Sequence, residues 1–231
     1  MDIGRDCDVG NISDLDMKTH CYIDAANLFY GGEKSLGWKI DYRKLLGYLR
    51  HKYKVEEAFY FGGIELEGFK YDYLKNHSVS VDEVERYVSG LIREKGHLLE
   101  DAKLIMLSRH TRRLKFYKKL KEFGYKLLLK PVKLYVDDDG TPTKKANCDV
   151  DMAFYLMRDY DKFDRVVILS GDGDFLPVLK HLKELGKEVV VLARGPRAAK
   201  EIRQFAGGNF RDFEYLKYLL KMSEKKRSKL I

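Results

Sequence analysis

Five aspartates lie beside apolar, strand-like runs of the sequence, and their carboxylates are suited to share one metal ion. They are Asp24, Asp149, Asp151, Asp172 and Asp174. Carboxylates gathered in one place repel one another unless a cation neutralises them. Oxygen-only ligands favour a hard ion such as Mg²⁺ or Mn²⁺. The residue types therefore predict a divalent metal site.

The places of these aspartates in the chain indicate one shared edge of a parallel sheet. Asp24 ends the first strand-like run, and Asp172 and Asp174 follow the apolar run at 165–169. Asp149 heads the helical stretch that leads into that run. In open parallel sheets, ligands bind beyond the carboxyl ends of the strands, at the point where the strand order reverses. If the two runs flank that point, Asp24, Asp149 and Asp172 become neighbours.

Supporting residues surround this set, and simpler explanations exist for some of its members. Asn27, one short turn after Asp24, can hydrogen-bond a carboxylate and orient it, and Ser170 opens the SGDGDF motif beside Asp172. Helix capping alone would explain Asp149 and Asp174. Asp151 is the weakest member, because two residues along a helix it points away from Asp149.

Alternating strand and helix patterns predict an α/β fold. Strands are expected at 21–24, 55–63, 125–136, 165–169 and 188–193. Helices are expected after caps at Asp41, Ser80, Asp149 and Asp174, and over Thr111–Phe123 with Gly124 ending the helix. This order requires a mainly parallel sheet with helices on both faces. Residues 65–106 are interpreted as a helical insertion.

The bulk properties suit one domain with short flanking segments. The 231 residues divide into an acidic arm at 1–18, an α/β domain at 19–220 and a basic tail at 221–231. No apolar run approaches the roughly 20 residues of a membrane span, and the N-terminus lacks the apolar core of a signal peptide. The three cysteines form no CxxC pair, so we expect a cytoplasmic, reducing location rather than a disulfide or zinc framework.

The net charge of +8 is unevenly distributed and suits a polyanionic partner. Residues 109–133 hold ten Lys/Arg and only Glu122 as an acid. A basic block on a protein with a separate acidic cluster fits a nucleic acid held near a metal. A solvated lysine-rich helix face is the simpler alternative. The residues predicted to contact the phosphates of such a partner are Arg109, Arg112, Arg113, Lys144, Lys145 and Arg194.

Three blocks of the sequence resemble the NYN domain. They are IDAANLF (23–29), KKANCDVDMA (144–153) and VVILSGDGDFLPVLKHLKELGKEVVVLA (166–193). NYN domains include the LabA-like proteins and belong to the PIN-like nuclease superfamily. The resemblance covers about 20–65 and 107–216, and leaves the insertion, the acidic arm and the basic tail unexplained.

The resemblance implies a PIN-like, three-layer α/β/α fold, a Mg²⁺ or Mn²⁺ site and RNA cleavage. The positions that match the acidic residues and the asparagine of the family motifs are Asp24, Asn27, Asp149, Asp172 and Asp174. Two departures stand out. Ala25 replaces a glycine that is frequent after the first aspartate, and the middle motif, often K-G-x-D, ends here in 146–149 as ANCD. Neither departure removes a carboxylate.

The expected function is therefore that of a metal-dependent ribonuclease, most simply an endonuclease. Water activated at the metal would attack the phosphate and leave a 5′-phosphate and a 3′-hydroxyl. No histidine lies within the acidic motifs, and none is needed as a base. DNA is left open as a substrate because no residue visibly reads a 2′-hydroxyl, and a homodimer is also left open.

Two other functions fit parts of the sequence. The first is an RNA-binding or regulatory module with weak or no catalysis, which need not depend on a metal. The second is a phosphatase of the haloacid dehalogenase type, suggested by the glycine–aspartate motif SGDGDF. That chemistry needs a second aspartate two residues after the first, where this chain has Ala26.

Overall fold

A six-stranded, all-parallel sheet forms the centre of the protein. The computed structural model describes residues 17–65, 68–136, 142–146 and 148–223, without the side chains of 31–32, 134–136 and 142–145. The strands are β1 (Thr19–Asp24), β2 (Val55–Ile64), β3 (Tyr125–Pro131), β4 (Lys133–Val136), β5 (Pro142–Lys145), β6 (Arg165–Leu169), β7 (Glu188–Ala193) and β8 (Phe210–Asp212). The order in the sheet is β3-β2-β1-β6-β7-β8, and β4 and β5 form a separate antiparallel hairpin.

Helices cover both faces of the sheet, which confirms the three-layer α/β/α prediction. They are α1 (Ala25–Asn27), α2 (Tyr42–Tyr53), α3 (Val81–Lys95), α4 (Asp101–Phe123), α5 (Asp149–Arg158), α6 (Leu176–Glu184), α7 (Lys200–Ala206) and α8 (Lys217–Leu220). One core joins the sheet to α2, α3, α4 and α8. The other joins it to α5, α6 and α7. Because helices cover both sides of β6, its residues Val166–Leu169 are buried and read as a continuous apolar run.

The strand order reverses between β1 and β6, which meets the condition under which the sequence makes Asp24 and Asp172 neighbours. β1 pairs with β2 on one side, where Asp24 lies opposite Phe61, and with β6 on the other, where Ile23 lies opposite Leu169. The chain then continues outward to β3 on one side and to β7 and β8 on the other. Asp24 and Ser170 therefore end neighbouring strands at the crevice where such sheets bind ligands.

Some element boundaries differ from the predictions. The predicted strand at 125–136 is two strands, because β3 ends at Pro131, which has no N–H to continue the ladder, and β4 turns into the hairpin. Helix α4 begins at Asp101, well before the predicted start at Thr111. The segment after Asp24 is helical, first as α1 and then as a π-helix over Leu28–Lys34. The short strand β8 was not predicted.

Two predicted caps are confirmed and two are wrong. The Asp41 side chain accepts hydrogen bonds at the start of α2, and Ser80 does so at the start of α3. Asp149, however, is the first residue of α5, after Cys148 at the N-cap. Asp174 lies inside a 3₁₀ turn at 173–175, and the side chain that caps this turn belongs to Asp172. Gly124 ends α4 with a φ of 103°, a left-handed conformation that favours glycine.

The segment before α3 protects the outer edge of the sheet. Val79 N–H donates to the Leu129 carbonyl at 2.9 Å. Leu129 N–H donates in turn to Ser78 Oγ at 2.8 Å. These bonds satisfy backbone groups of β3 that an exposed edge would present to another chain. None of the helices in the described ranges is long and apolar enough to cross a membrane.

Candidate metal centre

Asp24 is the most enclosed of the predicted metal ligands. Asp24 lies at the carboxyl end of β1 and is 6% exposed. Oδ1 accepts hydrogen bonds from the backbone N–H groups of Ala26 at 2.9 Å and Asn27 at 3.1 Å. Oδ2 accepts a hydrogen bond from Ser170 Oγ at 3.2 Å. The helical turn after β1 thus points its N–H groups at this carboxylate and fixes its orientation.

The structure brings Asp149 close enough to Asp24 for the two carboxylates to repel each other. Helix α5, which Asp149 begins, contacts β1. Burial, together with the negative charge of Asp149, raises the pKa of Asp24 to about 6 against the opposing effect of the hydrogen bonds from Asn27, Ser170 and Ala26. Placing two carboxylates together at a buried strand end costs free energy that a bound cation would offset.

The SGDGDF loop is tied to the end of β1 through Ser170 and Asn27. Ser170 Oγ accepts a hydrogen bond from the Asp172 N–H at 3.3 Å, in addition to its bond to Asp24. Asn27 Oδ1 accepts from the Gly171 N–H at 3.1 Å. The sequence had suggested that Asn27 orients a carboxylate, but this contact holds the loop backbone. Through these bonds Asp172 lies on the same crevice as Asp24.

Asp174 belongs to the outer part of the same loop. Its N–H donates to Asp172 Oδ1 at 3.0 Å, and the residue is exposed. The carboxylate of Glu201, on α7, lies over this loop: a Cβ at Gly173 would stand 2.6 Å from Glu201 Oε1. Glu201 was not predicted, because nothing in its local sequence indicates that α7 returns to the SGDGDF loop.

The donor set fits a metal held by few protein ligands. Within the described residues, no three His, Cys, Asp or Glu side chains are grouped so that they could hold one ion. Mg²⁺ commonly keeps several waters and is bound through one or two carboxylates together with substrate phosphates. The buried carboxylate of Asp24 with Asp149 beside it meets that requirement, and Asp172 adjoins it through Ser170.

Asp151, the weakest predicted member, forms an ion pair. Its Oδ2 accepts from Lys130 Nζ of β3 at 2.6 Å, and both side chains are about two-fifths exposed, at 40% and 39%. This contact explains the residue as a link between α5 and the sheet.

Among the predicted RNA contacts, Arg113 is linked to the carboxyl end of β2 through Tyr117. Its Nε donates to Tyr117 Oη at 3.1 Å, and Tyr117 Oη donates to the Gly63 carbonyl at 2.5 Å. Tyr117 borders the end of β1, since a Cβ at Gly62 would stand 3.5 Å from its hydroxyl and 3.3 Å from the Cβ of Ala25.

Other cationic residues of the prediction lie in different surroundings. Arg109 and Arg112 are exposed on α4. Lys144 and Lys145 form part of β5, but their side chains lie outside the described residues. Arg194 Nη1 contacts Asp212 at 2.9 Å and Glu214 at 2.6 Å. These two carboxylates favour a structural role for Arg194.

A second polar pair at this end of the sheet was not predicted. His110 Nε2 lies 2.6 Å from Glu65 Oε2, just after β2, with the histidine buried on α4. Its signal in the sequence was the spacing of His110, Arg113 and Tyr117, which places all three on one face of α4.

The fold and the sequence comparisons together place the protein in the PIN-like nuclease superfamily. Residues 86–214, more than half of the chain, match the sequence model of the NYN domain. The protein belongs to the NYN domain family.

Similar proteins include one curated relative and two solved structures. The low amplitude and bright protein LabA of Synechococcus elongatus is 22% identical over 190 residues, which cover 79% of this chain and 76% of that protein. A Vibrio parahaemolyticus protein of unknown function superposes with a TM-score of 0.54 at 18% identity, over 87% of this chain and 94% of that one. The D15 protein of phage T5, co-crystallised with metal ions, gives a TM-score of 0.41 at 14% identity, over 81% and 59%.

Proposed function

We propose that this protein is a metal-dependent ribonuclease that hydrolyses phosphodiester bonds of RNA. The observation that carries the proposal is the buried carboxylate of Asp24, placed beside Asp149 where the strand order reverses. A purely structural aspartate has no need of a second carboxylate next to it in a buried crevice. Membership in a family of the PIN-like nuclease superfamily supports the same chemistry.

The residues that would hold Mg²⁺ or Mn²⁺ are Asp24, Asp149, Asp172 and Asp174; Asp24 and Asp149 already lie together, and the loop residues Asp172 and Asp174 would join them when the ion is bound. When bound, such an ion lowers the pKa of a coordinated water and stabilises the charge that develops on the scissile phosphate. The chain itself orients the ligands. Three hydrogen bonds fix the Asp24 carboxylate, and Asn27 holds the loop that carries Asp172. Because Asp24 is buried, bulk water has limited access to its carboxylate.

The substrate would approach along α4, which lays cations beside the acidic crevice. Arg113 keeps its Nε on Tyr117, so its remaining guanidinium donors can meet a phosphate near the end of β1. Arg109 and Arg112 extend the same basic surface. Lys144 and Lys145, which precede Asp149 in the sequence, complete the proposed contacts. These are phosphate contacts, which position a strand without reading its sequence.

The proposed location is the reducing cytoplasm. Cys21 and Cys148 are free and buried. Burial raises the pKa of the Cys148 thiol to about 12 and that of Cys21 further still, so both stay protonated and unreactive.

The test is cleavage of an end-labelled RNA with both paired and unpaired regions, in Mn²⁺, Mg²⁺ or EDTA. The expected result is metal-dependent cleavage by the wild type that leaves 5′-phosphate ends and is lost in Asp172→Asn. Asp161→Asn is the matched control, because Asp161 is an exposed aspartate on another turn of the chain. A 2′,3′-cyclic phosphate product would contradict attack by water. DNA of the same sequence, run in parallel, decides whether the sugar matters.

An RNA-binding module without catalysis is the second candidate. One observation favours it: Arg109 and Arg112 are exposed on α4, where they could hold a phosphate backbone without a metal. Titration of Mn²⁺ by calorimetry separates the two functions. A nuclease should bind the ion in wild type and lose it in Asp24→Asn, whereas a binding module should bind RNA equally well in EDTA and show no metal uptake that depends on Asp24.

A further inference from the structure

A cavity of about 450 Å³ lies at the carboxyl ends of β7 and β8, outside the metal centre. Its lining combines aromatic rings with guanidinium groups. The lining residues that matter here are Pro196, Arg203, Phe210, Arg211 and Tyr215.

The wall of this cavity is fixed by polar contacts at its base. The Gly195 N–H donates to Asp212 Oδ2 at 2.9 Å, and Arg194 Nη1 donates to the same oxygen at 2.9 Å. Arg211 Nη1 donates to the carbonyls of Gly208 and Phe210, which holds this guanidinium at the mouth. The cavity is therefore built by interactions among its own lining segments.

The cavity and the metal centre share one loop. The segment 194–199 lines the cavity at its start, and at its end the Ala199 N–H donates to the Gly171 carbonyl at 2.8 Å, next to Asp172. Both sites lie on the carboxyl edge of the same sheet. Because β8 is two strands from β6, the separation along the sheet is about 10 Å at the usual spacing of neighbouring strands.

The exposed groups of the cavity suit a nucleotide. Tyr215 is 84% exposed, so most of its ring is accessible to a ligand in the cavity. Arg203 and Arg211 are exposed beside it. Aromatic rings that stack on bases, combined with cations that follow the backbone, are the means by which proteins bind single strands. The segment 194–221 also holds seven Lys/Arg against three Asp/Glu, which suits a polyanion.

We propose that this cavity binds one base of a single-stranded RNA, stacked on Tyr215, with its phosphate at Arg203. The strand would continue over the shared loop to the metal centre, so the cavity would hold a nucleotide that flanks the scissile bond. The proposal rests on the proposed ribonuclease function for its biological meaning, but its test measures binding alone.

The experiment is fluorescence anisotropy with a 5′-fluorescein RNA of about 12 unpaired nucleotides, in EDTA so that no cleavage occurs. Tyr215→Ala should raise Kd about tenfold, the loss typical of one stacked base. Tyr215→Phe should bind like wild type, because stacking does not need the hydroxyl. Tyr218→Ala is the matched control: Tyr218 is 96% exposed, three residues further on, and lies outside the cavity lining.

A second variant tests the phosphate contact. Arg203→Gln should reduce the slope of log K against log salt by about 0.7, the value for one phosphate contact with a single strand. An equal effect of Tyr215→Ala and Tyr218→Ala, or no binding by the wild type, would overturn the proposal.

The outcomes distinguish this site from the ribonuclease function. If Tyr215-dependent binding occurs but no metal-dependent cleavage is found, the cavity stands and the nuclease proposal fails. If the wild type cleaves RNA and Asp172→Asn does not, while Tyr215→Ala binds normally, the nuclease proposal stands and the cavity fails.

Discussion

The two walls of the candidate metal centre differ in their exposure to water. The wall formed by β1 carries Asp24, which is 6% exposed and accepts three hydrogen bonds. The wall formed by the SGDGDF loop carries Asp172, which is half-buried, and Asp174, which is exposed. The walls are joined by Ser170 and Asn27, each bonded across the gap.

This difference indicates a division of roles between the walls. A buried carboxylate lowers the free energy of unfolding while it is charged. The wall formed by β1 is therefore less stable than it could be, but it holds a preorganised ligand. The loop wall keeps its outer carboxylate solvated, which costs little and leaves room for a substrate. Because binding sites often break the rules of stable folding, Asp24 is the residue at which function and stability should conflict most.

The largest expected effect is on cleavage. Asp24→Asn and Asp172→Asn should each lower kcat/KM by about 10³-fold, since loss of a ligand removes several kcal/mol of transition-state stabilisation. Asp174→Asn should cost only about tenfold, because the exposed carboxylate is the more replaceable by water. Single-turnover assays on one RNA measure all three variants, with Asp161→Asn as control. Equal losses of kcat/KM in Asp24→Asn and Asp174→Asn would show that the two walls do not differ in their contribution to cleavage.

The second prediction concerns stability without metal. The pKa of Asp24 is about 6 in the folded protein against an ordinary value of 3.8. Between these values the folded state binds more protons than the unfolded state, so the free energy of unfolding falls as pH rises through this window. Above this pH window, burial of the charged Asp24 carboxylate lowers the free energy of unfolding by its full amount. In EDTA near pH 7.5, Asp24→Asn should therefore be more stable than wild type by about 1–3 kcal/mol.

Urea unfolding measures this gain, and its pH dependence is the internal control. The gain should shrink towards zero near pH 4, where the carboxyl is protonated in wild type. Asp174→Asn should change little at either pH, since the residue is exposed. Mn²⁺ should raise the Tm of wild type but not that of Asp24→Asn. A wild type more stable than Asp24→Asn at pH 7.5 would show that the buried carboxylate has a compensating partner of another kind.

The two glycines of the loop wall give the third prediction. A Cβ at Gly171 would stand 2.7 Å from the Cβ and 2.8 Å from the Cα of Ala198, so backbone must move. Gly171→Ala should cost about 1–3 kcal/mol of unfolding free energy, as overpacking usually does. At Gly173 the nearest atom is Glu201 Oε1, at the end of a flexible side chain. Gly173→Ala should therefore cost less than about 1 kcal/mol. Thermal unfolding of both variants at one pH tests whether the loop is packed more tightly at Gly171 than at Gly173.

The positions of Asp24 and Asp172 at one edge of the sheet could be predicted from sequence because both residues adjoin strong local signals. The apolar runs of β1 and β6 fixed the ends of two strands, and the rule for parallel sheets brought Asp24 and Asp172 to one edge. The expected position of Asp149 near this edge followed from its place at the start of the helix that leads into β6. These predictions needed only the order of elements and the alternation of strand and helix.

Contacts made by distant segments could not be predicted in the same way. Glu201 reaches the SGDGDF loop only because α7 packs against the 3₁₀ turn at 173–175. Helix α4 extends to Asp101 although Ile105 is 53% exposed, so its first turns lack a continuous apolar face. Strand β8 has only three residues, too few for an alternating pattern. Arg194, predicted for RNA from its position after β7, meets two carboxylates supplied by the chain beyond β8.

The smallest expected effect concerns the hydrogen bond that joins the two walls. Ser170 Oγ donates to Asp24 Oδ2 at 3.2 Å and so favours the charged carboxylate. Ser170→Ala removes this donor, and the pKa of Asp24 should rise above its value of about 6. Without metal, the fall in unfolding free energy with pH should then reach completion at higher pH, by at most about one pH unit.

Ser108→Ala is the matched control for this shift, because Ser108 Oγ donates to the Ile105 carbonyl on the exposed side of α4. The comparison is made on the whole curve of unfolding free energy against pH, since a general loss of packing would lower the curve without moving its midpoint. A parallel displacement of the Ser170→Ala curve would therefore mean that Ser170 only fastens the loop. A shifted midpoint would mean that Ser170 also tunes the charge of Asp24. The wall formed by the SGDGDF loop would then influence the affinity of Asp24 for a cation.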